Sequence, residues 1–351
     1  MGKIKETFIH FKERLVAPPT SVVGDDEVEE RPYNLSGQFG KEGRWLVLAP
    51  LDSAIGREDI DCYEIMDTTK PERRCYGIIA SNYGHYKHNR LVVHKFIHLM
   101  QKMSDRSKHF PQLLACGQVG DSGLVYGQDG AMIEESKIEV VDRPFAIYSH
   151  SAIPLASLLS FSDQGSVPIP VVLAAGQGMV RALAALHRAG FVHRAVSPHS
   201  FGYRLPASIA NLQHFIVCLD FSLCIPFPTK PRRFLPFIGV PRYCSPRAES
   251  GRETGPSDDI LSVIYVVAEF ITGRLPWRAI KTLAGIAEFK IHFSKSRVFA
   301  QLPREMRLLY RLMLETPSPT PLEYRPIIDL FQGALNRYAP LVDRVPHFLA
   351  S

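Results

Sequence analysis

The sequence predicts an α+β chain: a small, mostly β part with one main helix, followed by a large, mostly helical part. Short apolar runs at 45–48, 75–81 and 145–148, and a run at 60–66 with apolar residues at alternate positions, read as strands and fall in the first 150 residues. Beyond them the apolar spacing turns helical. The clearest run is 171–189, with Val172, Leu173, Met179, Leu183 and Leu186, and it ends at Gly190. At 351 residues the chain exceeds the size of one ordinary core, which agrees with two unequal parts.

Residues 1–43 combine Pro18, Pro19 and an acidic run from Asp25 to Glu30, and are expected to form a loosely ordered extension. A helix is expected after residue 81, a short helix at 155–161, and further helices at 258–273, 302–314 and 324–338. Residues 341–351 are read as a tail. The formal charge of +6, from 41 basic and 35 acidic residues, is spread along the chain without dense basic runs, so no nucleic-acid partner is expected. Six cysteines without a CxxC pair, no apolar leader and no apolar run of membrane-spanning length point to an intracellular, cytoplasmic protein that does not enter a membrane.

Two motifs organise the rest. Residues 190–201 read Gly-Phe-Val-His-Arg-Ala-Val-Ser-Pro-His-Ser-Phe, and 215–222 read Phe-Ile-Val-Cys-Leu-Asp-Phe-Ser. They resemble the His-Arg-Asp and Asp-Phe-Gly motifs of protein kinases, with His193, Arg194 and Pro198 in frame. Within the kinases the chain resembles the casein kinase family, closest to its tau-tubulin kinase branch, where the loop reads His-Arg-Asp-Ile-Lys-Pro-Ser-Asn-Phe. Residues 239–245 are similar to the family's Gly-Thr-Val-Arg-Tyr-Ala-Ser, 258–262 to its Asp-Asp-Leu-Trp-Ser, and 275–278 repeat its Leu-Pro-Trp-Arg.

The resemblance implies a two-lobed protein kinase fold over residues 44–340, with a small lobe at 44–148 and a large lobe at 149–340. It also implies that no catalytic constellation is intact. Ala195 stands at the base position, Ser197 at the loop lysine, Ser200 at the asparagine, Ala80 at the strand lysine and His94 at its glutamate partner. Asp220 remains as a vestigial metal-binding carboxylate. Gly56 is the one glycine of the phosphate loop, and Ser149 and His150 mark the hinge where adenine could bind. His193, Arg194, Pro198, Arg242, Tyr243, Asp259 and Trp277 are carried over as structural residues, Asp259 as the acceptor for the backbone of His193 and Arg194.

Phosphoryl transfer depends on positioned charges, so replacing these groups implies a pseudokinase that is not an enzyme and binds or scaffolds a protein partner. The alternative is a serine/threonine kinase of casein kinase 1 type with residual ATP binding and unorthodox catalysis. No cofactor is expected, with ATP and Mg²⁺ bound weakly at most. Lys230, Arg232 and Arg233 form a candidate anion or partner patch within a PxxPxR pattern at 228–233. His94 and His98 share a helix face, but with no cysteine there they read as surface residues in preference to metal ligands. The glycine-rich stretch 117–142 resembles the family's hairpin lengthened by an insertion.

Overall fold

The computed structural model describes residues 34–35, 38–39, 44–51, 60–71, 74–81, 86–103, 106–119, 125–126, 143–149, 152–160, 165–205, 207–221, 223–228 and 237–338. Strands β1 (Asn34–Leu35), β2 (Gln38–Phe39), β3 (Trp45–Leu51), β4 (Ile60–Asp67) and β5 (Arg74–Ala80) precede helix α1 (Tyr86–Met103). After it come β6 (Gln112–Val119), β7 (Val125–Tyr126) and β8 (Arg143–Ser149). Six of these strands form one antiparallel sheet in the order β2-β3-β4-β5-β8-β6, while β1 pairs with β7. Alternation along β4 turns Ile60 and Cys62 to one face, which α1 covers with Val92, Val93, Phe96 and Met100, and Tyr63 and Ile65 to the other, where they cluster with Trp45, Cys75 and Ile79. At the β3 and β4 ends the Arg44 guanidinium bonds both oxygens of buried Asp67, at 3.1 and 2.6 Å, and holds that carboxyl well below the usual range.

The second part begins with β9 (Ile153–Pro154), α2 (Ser157–Ser160) and α3 (Ile169–Arg188). Then come β10 (Phe191–Val192), β11 (Phe201–Tyr203), α4 (Leu212–Phe215), β12 (Ile216–Cys218) and β13 (Ile225–Pro226). Helices α5 (Pro246–Glu249), α6 (Pro256–Thr272), α7 (Leu283–Ile291), α8 (Arg297–Gln301), α9 (Arg304–Glu315) and α10 (Tyr324–Tyr338) complete it. Helix α3 packs against α6 and α10 and is buried nearly all round. Among the described residues it is the one helix long and apolar enough to cross a membrane, with 83% of its apolar window buried by the protein itself. Gly190 ends it at φ +86°, a left-handed conformation that lets the chain turn directly into the next strand.

Several expectations are corrected here. Of the extension expected at 1–43, the described residues are β1 and β2, which pair with β7 and β3; the rest lies outside the described residues. The long helix starts two residues early at Ile169, since Pro168 and Pro170 are tolerated where helix amides lack partners anyway. Helix α2 is only one turn, and α6 begins at Pro256, two residues before the Asp258 start that the resemblance implied. There the Asp258 carboxylate accepts from the Gly255 amide at 2.8 Å.

Candidate functional site

Three short pairings bring the two motifs together. Strands β10 and β13 pair at Phe191↔Pro226, and β11 pairs with both β12 and β9. The Leu219 amide donates to the Ser200 carbonyl at 2.8 Å, placing Asp220 beside the 193–201 loop. The loop is also tied to the start of α2, because the Ala156 amide donates to the Pro198 carbonyl at 3.1 Å.

Asp259, on α6, lies beneath this loop and is buried. Its Oδ2 accepts from the His193 amide at 2.7 Å and its Oδ1 from the Arg194 amide at 2.8 Å. Arg194 sits at φ +68°, and its Nε donates to the Leu223 carbonyl at 2.8 Å. His187 Nε2 lies 2.8 Å from the same Oδ2, and His187 Nδ1 is hydrogen-bonded to the Tyr324 hydroxyl of α10. Burial would raise the Asp259 carboxyl, but the hydrogen bond and charge of His187 and the His193 amide outweigh it and leave it below the ordinary value.

His193 is buried, stacked on Phe201 at 5.5 Å, and accepts from the Ala195 amide on Nδ1 at 3.2 Å. Its Nε2 is 3.4 Å from the Cys218 thiol, and burial lowers its pKa. The serines are engaged with each other. Ser197 Oγ is 2.8 Å from Ser200 Oγ, which donates to the Ala195 carbonyl at 2.6 Å, so the loop closes on itself at these positions. Ala80 is buried in the sheet, whereas His94 on α1 is exposed. Ser149 pairs with Cys75 and Gln112, and its hydroxyl accepts from the Gln112 amide at 3.2 Å. Arg242 offers its carbonyl to Trp277 Nε1 at 2.8 Å, and Tyr243 donates to buried Glu269. Gly56, His150, Lys230, Arg232 and Arg233 lie outside the described residues, as does most of 117–142.

Four features escaped sequence reasoning. Arg143 Nε donates to the Ala80 carbonyl at 2.7 Å while its other nitrogen meets Asp61 at 2.6 Å, a half-buried cation at the end of β5. Lys95, on α1, is close enough to buried Cys224 to oppose the rise that burial gives that thiol. An aromatic column runs Tyr76–Tyr148–Phe96–Phe221–Phe110, with successive centroids 5.3 to 6.0 Å apart, from β5 through the residue after Asp220 to the segment before β6. The Tyr148 phenol, buried beside Cys62, Tyr76 and Asp220, is pushed well above its ordinary pKa. Finally, the ammonium of Lys290 is sealed in, bonding the Pro241 and Cys244 carbonyls and Glu249 at 2.7 to 2.8 Å, and fixes 241–249 against α7. The signal for these was an apolar setting around a charged residue, as at His187 in α3.

A kinase resemblance implies a metal–triphosphate group beside this loop. Asp220 brings one carboxylate and the two serine hydroxyls are already paired. Among the described residues no three His, Cys, Asp or Glu side chains gather where they could hold an ion.

No protein-family model matches the chain. It is 32% identical over 145 residues, 40% of its length, to a probable serine/threonine-protein kinase of Dictyostelium discoideum. A Caenorhabditis elegans protein named for casein kinase I is 28% identical over 160 residues, 43% of the chain. A probable casein kinase I homologue of Encephalitozoon cuniculi is 28% identical over 145 residues, 39% of the chain. The similarity is to protein kinases of casein kinase I type. The alignments span 29%, 46% and 48% of those relatives, so the chain matches less than half of each. These relatives correct the expectation that the chain is not an enzyme, since every one of them is named as a kinase.

Proposed function

We propose that the chain is a two-lobed protein kinase-like domain of casein kinase I type, related to the tau-tubulin kinase branch, that binds a protein partner and transfers phosphate by an unorthodox route. The observation that carries this reading is the loop of residues 193–201, held by Asp259 and placed beside Asp220, in a chain similar to serine/threonine kinases. The side chains at 195, 197 and 200 differ from the Asp, Lys and Asn of a kinase loop. Nucleotide and Mg²⁺ are expected to bind weakly, because Ser197 and Ser200 face each other and Asp220 is the carboxylate at hand. The partner is a protein, and the compartment is the cell interior.

The test is incorporation of radiolabelled phosphate from ATP into a mixed protein substrate panel by the wild type and by Asp220→Ala. Slow incorporation that disappears in Asp220→Ala is the expected result. No incorporation by the wild type, or equal incorporation by both proteins, overturns the catalytic part of the reading.

A further inference from the structure

A cavity of about 650 Å³ opens on the helical part, away from the 193–201 loop in sequence, between the segment that follows α6 and the start of α8. Arg274, Arg278 and Arg297 line it and are exposed, while Leu275, Pro276 and Val298 supply an apolar floor that is buried or half-buried. Both walls are fixed from below. Trp277 packs edge-on against Phe293 at 5.4 Å, and Phe293 against Phe299 at the same distance, so the two Arg-bearing segments share one aromatic cluster. One Arg278 nitrogen donates to the Gly273 carbonyl at 3.1 Å. Among the described residues none of the three arginines is in an ion pair with a carboxylate.

Three guanidinium groups without a carboxylate, around an apolar floor on rigid supports, form a receptor for anionic oxygens flanking an apolar group. We propose that this cavity docks an acidic segment of a partner protein, with carboxylates on the arginine rim and an aliphatic side chain on the floor. A peptide fits better than a nucleic acid, because single strands are held by aromatic faces as well as charge and the rings here, Trp277 and Phe293, are buried. The inference rests on the reading of the domain as protein-binding and names the chemistry of the partner.

Fluorescence anisotropy with a labelled Glu-Glu-Leu-Glu-Glu-Leu peptide tests it, beside a Gln-for-Glu version and a labelled oligothymidine. The wild type is expected to bind the acidic peptide in a salt-sensitive manner, and Arg274→Ala/Arg278→Ala/Arg297→Ala to weaken it by about tenfold or more. These residues are exposed, so melting temperature serves as the fold control; Arg278→Glu/Arg297→Glu is a second variant, expected to abolish binding. Equal binding by wild type and both variants, equal binding of the Gln peptide, or tighter binding of the oligothymidine overturns the proposal. Since Asp220 is untouched in these variants, loss of the docking site and loss of phosphotransfer are read separately.

Discussion

Removing the Asp259 carboxylate takes from the His193 and Arg194 amides their acceptor and from His187 its Nε2 partner. It also releases Arg194 from a left-handed backbone, which costs a non-glycine residue about 1–2 kcal/mol and persists only where surrounding bonds impose it. Each buried amide left unpaired costs about 1–3 kcal/mol, so Asp259→Ala is expected to lose on the order of 3–5 kcal/mol of stability. The His193 and Arg194 amides that anchor the loop are held by Asp259, so Asp220→Ala is expected to lose less. Urea midpoints of the two variants decide this, and equal losses would show that Asp220 holds as much structure as Asp259. A similar argument applies to Lys290. Its ammonium is sealed against Glu249, and truncation leaves that acid buried without its cation, so Lys290→Ala is expected to cost about 3–5 kcal/mol. The double change Lys290→Met/Glu249→Gln should recover most of the loss.

At the level of elements, single side chains connect pieces that the sequence separates widely. Tyr324 reaches His187 across 137 positions, so α10 bears on the loop through α3 and Asp259. Tyr324→Phe removes one hydroxyl and keeps the ring against His187, so the expected loss is about 1 kcal/mol, read from the urea midpoint, with faster amide exchange at 193–195 as its local sign. Arg143 joins β8, β4 and β5 in the same way, across 82 positions to Asp61. These distances explain what the sequence could show. The strands at 45–51, 60–67 and 74–80 and helix α3 were legible because period-two and period-3.6 patterns are local. The 193–201 loop and Asp220 were legible because each lies in a contiguous motif. Strands β9 to β13 have two or three residues each, too few for any periodicity, and a partner 82 or 137 residues away leaves no local mark. The cavity at Arg274, Arg278 and Arg297 needed the aromatic cluster beneath it, which forms only in three dimensions.

For the molecule as a whole, buried histidines set the response to acid. His109 precedes β6, and its backbone carbonyl accepts from the Cys218 amide at 2.9 Å while Nδ1 donates to the Ile216 carbonyl at 2.7 Å, joining the β6 side of the sheet to β12. Burial lowers its pKa to about 4, with the Ile216 bond opposing and the Lys108 and Arg181 charges assisting. His193 shifts in the same direction, again chiefly through burial. An unfolded histidine titrates near 6.5, so below that pH the unfolded chain takes up protons that the folded chain refuses, and stability rises with pH through this window. Stability from His109 is therefore complete above about pH 6.5 and is lost as pH falls toward about 4, where the folded group also protonates. A shift of this size corresponds to about 3 kcal/mol for a well-buried group. Asp259, with its carboxyl below the ordinary value, adds a second loss in the same direction at lower pH, once unfolded carboxyls protonate. Urea midpoints of the wild type between pH 7.5 and pH 4.5 are expected to fall steadily. His109→Gln can keep a donor for the Ile216 carbonyl without a titrating group, so it should begin less stable at pH 7.5 and fall more gently. Parallel pH profiles for the two proteins would place the acid sensitivity elsewhere in the fold.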